Sequence, residues 1–350
     1  MATTDKITIM DIARLTGLSK GTVDRVIHNR GEVSKKSYDK IMAVIKELGY
    51  EPNFYASLLA KGTNHTIVVL IPNHMPGTFW ELSDHGIQRA AATVKPLGVH
   101  VQVMGYEELE EDSFRSACSS ILEMAPSGVV FAPMFKTESM VFANALAEKG
   151  IPYTFIDSKI EDEGYMAYYG MPMYESGYLC GDQLTGGNPV ESVLIVRIHR
   201  DRNSLSDPTL IRREGFLDYL KEHSPQCNVH NLFIDPSAPE EIYSVLEDFF
   251  KEHPQVHHLV MFNSRVHLLA PYLREHPEHG RKVVGFDNLS ANLSALLDGT
   301  VSTLIAQHPD EQVNLAVTAI SDKILLGKYP ERKDNFMHMD ILTRYNAAYY

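Results

Sequence analysis

Apolar residues recur at helical spacing through the first fifty positions and as short runs separated by amphipathic stretches after that. In the segment from Ile7 to Gly62, Thr8 predicts an N-cap for a first helix running through Arg14. Gly17 and Leu18 make a turn, and Ser19 caps a second helix bearing Thr22, Val23, Val26 and Ile27. Ser34 caps a third, with Ile41, Val44, Ile45 and Leu48 on one face and Gly49 closing it. Pro52 and Asn53 then interrupt the pattern. Two short helices joined by a glycine-containing turn and buttressed by a third form a helix-turn-helix unit.

From His65 the pattern changes. Strands are expected at residues 66–72, 99–104, 128–132, 152–156, 192–196, 228–234, 258–262 and 282–286, and the run VSTLIA, ending at Gln307, is read as a further one. Helical stretches such as 79–94, 113–124 and 139–149 follow them. Alternating strand and helix predicts parallel sheets covered on both faces and joined by right-handed crossovers. No phosphate-binding glycine loop follows the first strand, and the glycines of GYLCGDQLTGG suit helix packing followed by a turn.

Composition narrows this picture. Of 350 residues, 44% are hydrophobic and 22% charged, the balance of a soluble globular chain, and no apolar run reaches the length of a membrane span. The opening residues contain an acid and no signal-peptide core, so a cytoplasmic location is expected. Cys118, Cys180 and Cys227 are widely spaced and suit packed thiols in a reducing compartment. The histidine-rich stretch from Arg274 to Arg281 contains Pro277 and flanking charges and is expected as an exposed loop. No metal or cofactor is expected. The net charge is −13, yet residues 1–62 carry ten basic against seven acidic side chains. A positive segment on an acidic chain favours a nucleic-acid partner, although charge alone does not exclude a solvated three-helix module.

On the second helix Lys20 leads. It can neutralise a phosphate or donate to guanine O6 and N7; Gly21 leaves room for a base edge, and Arg25 lies one turn further on the same face. After the strands, a set of polar residues recurs: Asn73, then Asp157, Asn263, Asp287 and Gln307, with Phe79 and Trp80 opening the first helix. Ligands of open α/β sheets bind outside the carboxyl ends of strands. Carboxylates, amides and an aromatic pair there suit a molecule with several hydroxyls and an apolar ring face. Any one of these residues serves equally well as a turn former or helix cap; the set favours a site.

The N-terminal motifs T-x-x-D-I-A, G-L-S-x-x-T-V-x-R-V, V-S and L-G-Y-x-P-N resemble those of the LacI/GalR family of transcription regulators. The resemblance implies an α-helical helix-turn-helix domain at residues 1–50, a hinge at 51–63 and a two-lobed α/β domain of the type I periplasmic-binding-protein-like fold at 64–350. Lobe one is expected at about 65–169 and 308–330, and lobe two at about 170–306 and 331–350. It further implies that Lys20 and Gly21 read bases and that Thr22, Arg25 and His28 or Asn29 support them, with Thr8 and Ser19 alongside. In the hinge it implies Asn53 as a cap, Ala56 at a close-packed face and Leu59 wedged into the minor groove of double-stranded operator DNA. The second half carries I-P-x-x-x-x-D, R-x-x-G-F, V-V-G-F-D and I-A-Q-x-P-D, implying that Asp157, Arg212, Asp287 and Gln307 bond sugar hydroxyls while Phe79 and Trp80 pack on the ring. Ser158 stands where ribose-type sites carry an arginine. The resemblance implies a homodimeric, sugar-responsive, nucleoid-associated regulator, repressor or activator, with no membrane association and no enzymatic activity. A transport-type sugar-binding protein and a sugar-acting enzyme using Asp157 and Asp287 as an acid/base pair are the alternatives.

Overall fold

The computed structural model describes residues 7–27, 31, 33–48, 50, 64–161, 164–198 and 208–350. The chain divides into two compact units, Met1–Thr63 and Asn64–Tyr350.

The first unit contains α1 (Ile9–Thr16), α2 (Lys20–Ile27) and α3 (Lys35–Leu48). Thr8 caps α1 reciprocally: its hydroxyl accepts from the Asp11 amide while the Asp11 carboxylate accepts from the Thr8 amide. The helix runs to Thr16 rather than stopping at Arg14, and the buried Thr16 hydroxyl donates back to the Ile12 carbonyl at 2.7 Å. Gly17, at φ 66°, then closes it in the left-handed region. Ser19 Oγ accepts from the Thr22 amide at 3.1 Å, and Ser34 Oγ from the Ser37 amide at 3.2 Å, so both serines cap as expected. Ile12, Val23, Val26 and Ile41 form the centre of the small core, flanked by Leu18, Val44, Ile45 and Tyr50.

The second unit holds two six-stranded sheets. The first is built from β1 (His65–Pro72), β2 (Val99–Tyr106), β3 (Gly128–Phe131), β4 (Tyr153–Ile156), β5 (Ala167–Gly170) and β11 (Asp334–Phe336), in the order β11-β5-β4-β3-β1-β2. The second uses β6 (Ser192–Ile198), β7 (Asn228–Ile234), β8 (His258–Met261), β9 (Lys282–Phe286), β10 (Thr303–Ala306) and β12 (Asp340–Leu342), in the order β12-β10-β9-β8-β6-β7. Every pairing is parallel except that of β10 with β12. The two orders match strand for strand, so the ends of β4 and β9 occupy equivalent places in the two lobes.

Helices cover both sheets: α4 (Glu81–Val94), α5 (Glu111–Met124) and α6 (Lys136–Glu148) lie in the first lobe. α7 (Met173–Thr185), α8 (Pro208–His223), α9 (Pro239–Glu252), α10 (Ala270–Glu275) and α11 (Ser290–Leu297) lie in the second. The long α12 (Pro309–Leu326) follows β10 but packs on α4 and on β3–β5, returning the chain to lobe one. Its approach to α4 is backbone-close. A methyl group on Gly86 would sit 1.9 Å from the Asp310 carbonyl oxygen. Gly177 of α7 meets the Arg212 carbonyl oxygen of α8 equally closely, at 1.7 Å. These are helix-packing glycines, as the GYLCG pattern suggests.

Three strands were not foreseen. β5 is four buried residues, AYYG, without the β-branched residues that mark the equally short β3 and β4. β11 and β12 have three residues each and form only by pairing with partners far away in sequence. β11 also moves a boundary. The segment 331–350 was expected wholly in lobe two, yet Asp334–Phe336 pairs with Tyr168–Gly170 in lobe one. Polar contacts hold it there: the Asp334 carboxylate accepts from the Tyr165 hydroxyl at 2.9 Å and from Lys159. The final crossing therefore falls between Phe336 and Asp340.

Candidate functional site

On α2, Val23 and Val26 point into the core, which turns Lys20, Gly21 and Arg25 outward to solvent. Thr22 is half-buried, and its hydroxyl lies 2.9 Å from that of Ser19. A methyl group at Gly21 would meet nothing nearer than Ser19 Oγ at 3.9 Å, so its missing side chain is not demanded by packing inside the unit. Thr8 and Ser19 serve first as helix caps. His28, Asn29, Asn53, Ala56 and Leu59 lie outside the described residues.

In the second unit all eight residues expected at the ligand site, Asn73, Phe79, Trp80, Asp157, Arg212, Asn263, Asp287 and Gln307, line one cleft between the lobes with a volume of about 410 Å³. That is the size of a small-molecule site. They come from the ends of β1, β4, β8, β9 and β10, the start of α4, and α8.

At the floor of the cleft is a buried relay. Arg212 donates to the Phe262 carbonyl at 2.8 Å and to Gln307 Oε1 at 3.0 Å, and its guanidinium carbon lies 4.3 Å from the centre of the Phe286 ring. Gln307 in turn donates to Asp287 Oδ1 at 2.9 Å. Arginine and aspartate thus communicate through an amide rather than touching. Gln312, deep in α12, orients the relay: it donates to the Gln307 carbonyl and accepts from the Asp157 amide. Asn292 does the same on the other lobe, donating to the Phe286 and Asp287 carbonyls and accepting from His267 Nδ1 at 2.8 Å.

Asp157 and Asp287 both adopt left-handed backbone conformations, with φ of 62° and 68°. Aspartate tolerates this region better than most residues, and such conformations cluster at ligand sites. Burial pushes the Asp287 carboxyl up to about 7, with Asp157 adding to the rise and Arg212 and Gln307 opposing it. Near neutral pH this group both donates and accepts, which suits a hydroxyl partner.

This shift has a measurable consequence. In the unfolded chain the carboxyl titrates near about 3.9, so between about pH 4 and pH 7 the folded state holds a proton that the unfolded state has lost. Stability of the unliganded second unit is therefore expected to fall as pH rises through that window. In Asp287→Asn this component of the slope should vanish. Melting curves at a series of pH values test it; equal slopes in both proteins would mean the carboxyl ionises normally.

Other expectations are refined. Trp80 is only 4% exposed and belongs chiefly to the lobe-one core, with Phe79 set edge-on at 5.1 Å. Asn263 Oδ1 accepts from the Arg265 amide and so shapes its own loop. Asn73 Nδ2 donates to Glu107 at 2.8 Å. The sequence reading missed His74, Glu108, Arg265 and His267, which also line the cleft. Burial works against charge on His74, but the Asp84 carboxylate at 3.0 Å and the Pro72 carbonyl outweigh it and hold its pKa above the usual value. Burial keeps His267 below its usual value, partly opposed by Asn292. Arg265 and Glu108 approach to 3.7 Å from opposite lobes across the cleft. A half-exposed pair of this kind contributes at most about 1 kcal/mol, so it does not prevent opening. His74 follows Asn73 directly and was within reach of the strand-end argument; Asn292 and Gln312 lie inside helices, where nothing in the sequence marks them.

Comparison with known proteins agrees with this architecture. Residues 8–53 match the family described as bacterial regulatory proteins, lacI family, and residues 67–328 match the periplasmic binding protein domain. The crystal structure of a putative LacI transcriptional regulator from Bacteroides fragilis superposes with a TM-score of 0.76 at 33% identity, covering 82% of this chain and all of that one. The ribose operon repressor of Halalkalibacterium halodurans is 23% identical over 96% of this chain and 95% of its own length. The regulator DegA of Bacillus subtilis is 29% identical over 43% of this chain, which spans only 44% of DegA. The chain belongs to the lacI family of bacterial transcription regulators, joining a helix-turn-helix to a two-lobed periplasmic-binding-protein-like domain. Among the described residues no helix is long and apolar enough to cross a membrane.

Proposed function

We propose that this regulator binds a near-palindromic operator as a homodimer through α2, and that a small sugar or sugar-like polyol in the inter-lobe cleft changes that affinity. The observation that carries the reading is the convergence on one cleft of eight polar and aromatic residues, five from strand ends, two opening a helix and Arg212 from the family motif. Within it Asp287 and Asp157 offer acceptors, Gln307, itself held by Arg212, orients Asp287, and Phe79 offers a half-buried ring. Closing the lobes on a ligand favours one lobe arrangement, which is the differential interaction a two-state switch requires.

A thermal-shift screen of monosaccharides, polyols and uronic acids tests the cleft, since a ligand specific to the folded state raises its stability by mass action. Selection of duplexes from a random pool tests the operator. Two-fold symmetric sites whose capture changes with the screened ligand are expected, and a ligand that never alters duplex binding would separate the two halves of the proposal. Within the operator, Lys20→Ala should cost about 1–3 kcal/mol and relax the preference at one position per half-site. Equal weakening on operator and random duplex would make Lys20 a phosphate contact only.

A further inference from the structure

We propose that His308, His338 and Asp340 form a binding site for a divalent transition-metal cation of the zinc type, set on the crossovers that join the two lobes. Each residue offers one ligand atom, and the three atoms lie within 4.8 Å of one another, the one such group among the described residues. His308 Nε2 stands 2.9 Å from Asp340 Oδ2, and His338 Nε2 stands 3.7 Å from the same oxygen. The two imidazole centres are 4.2 Å apart, with the ring planes inclined by 44°. Bonds of about 2.1 Å in a tetrahedral site put neighbouring ligand atoms about 3.4 Å apart. The two observed separations bracket that value.

Two imidazoles and one carboxylate are the donor set of a borderline cation rather than of calcium or magnesium, which demand oxygen. Three protein ligands leave a fourth position for water, and the Tyr350 hydroxyl lies 3.0 Å from His308 Nε2. Little desolvation opposes binding, because the His338 side chain is 71% exposed and can adjust its rotamer.

The location gives the site its meaning. His308 lies where the chain leaves β10 for α12, and it holds a left-handed conformation at φ 56°. His338 and Asp340 lie where it passes from β11 to β12. A bound cation would tie two inter-lobe crossovers together. It would do so one residue from Gln307, which links Arg212 to Asp287.

The test uses untagged, chelator-stripped full-length protein titrated with cobalt(II), with zinc competing. One equivalent of cobalt with a visible absorption band of a low-coordinate site, displaced by zinc, is expected for the wild type. His338→Ala and Asp340→Asn should each weaken cobalt binding by more than about tenfold, since losing even a group that only orients a ligand costs about 10–100-fold. His338→Ala removes an exposed side chain, so its fold and melting temperature without metal should match the wild type. Absence of a stoichiometric cobalt band in the wild type, or wild-type affinity in both variants, overturns the assignment. The metal experiment does not involve the sugar cleft, so its outcome is independent of the proposed effector.

Discussion

Replacing Arg212 with alanine is expected to abolish ligand stabilisation and to lower the melting temperature of the second unit by several degrees. The guanidinium is 3% exposed and makes two charge-assisted hydrogen bonds, to Phe262 and Gln307. Each such bond is worth about 1.5–3 kcal/mol, and its loss leaves a buried carbonyl and a buried amide oxygen without this donor. A total near about 3–5 kcal/mol corresponds to a loss of two or more factors of ten in ligand affinity if the relay is needed for binding. Arg212→Lys keeps the charge but not the fork, and should recover stability better than affinity. Differential scanning calorimetry with and without the ligand found by screening measures both. A ligand-induced shift in Arg212→Ala equal to that of the wild type would remove Arg212 from the site.

The second large effect concerns the other unit. Ile41→Ala is expected to eliminate operator binding while leaving ligand binding by Asn64–Tyr350 intact. Ile41 is fully buried where α3 meets Ile12, Val23 and Val26. Truncating a buried isoleucine costs about 2–5 kcal/mol. A core in a module this small rarely supplies more than about 3–5 kcal/mol in total, so the helix-turn-helix would be largely unfolded. Gel shifts beside calorimetry on the same sample give the two readouts. Wild-type operator affinity in this variant would mean that the module draws its stability from elsewhere. Loss of ligand binding as well would mean that the two units do not fold separately.

Much of this protein was legible in its sequence because the informative interactions are local. The caps at Thr8, Ser19 and Ser34 bond amides three residues ahead, and Gly17 supplies a left-handed turn, so the first unit can be read almost position by position. The main strands announced themselves as apolar runs because parallel strands are buried on both faces. The strand-end residues were legible for a topological reason: in such sheets a polar residue just past a buried run must stand at the carboxyl edge.

What remained hidden depends on contacts between distant parts of the chain. β11 and β12 are too short to carry a pattern, β5 lacks β-branched residues, and each is held by pairing with strands distant in sequence. Arg212 could be placed in the cleft but not connected, because its link to Asp287 runs through Gln307 across ninety-five residues of chain. The elevated Asp287 carboxyl follows from burial, modulated by Arg212, Gln307 and Asp157, which no local window contains. The cluster at His308, His338 and Asp340 joins two separate crossovers, so spacing along the chain gave no sign of it. The sequence by itself determined the helices, their caps, the alternation of strand and helix and the residues at the ligand edge, all set by backbone preference and short-range burial. Only the tertiary structure decided which of those residues touch, which carry a proton and where the lobes exchange strands, because these depend on groups that folding alone brings together.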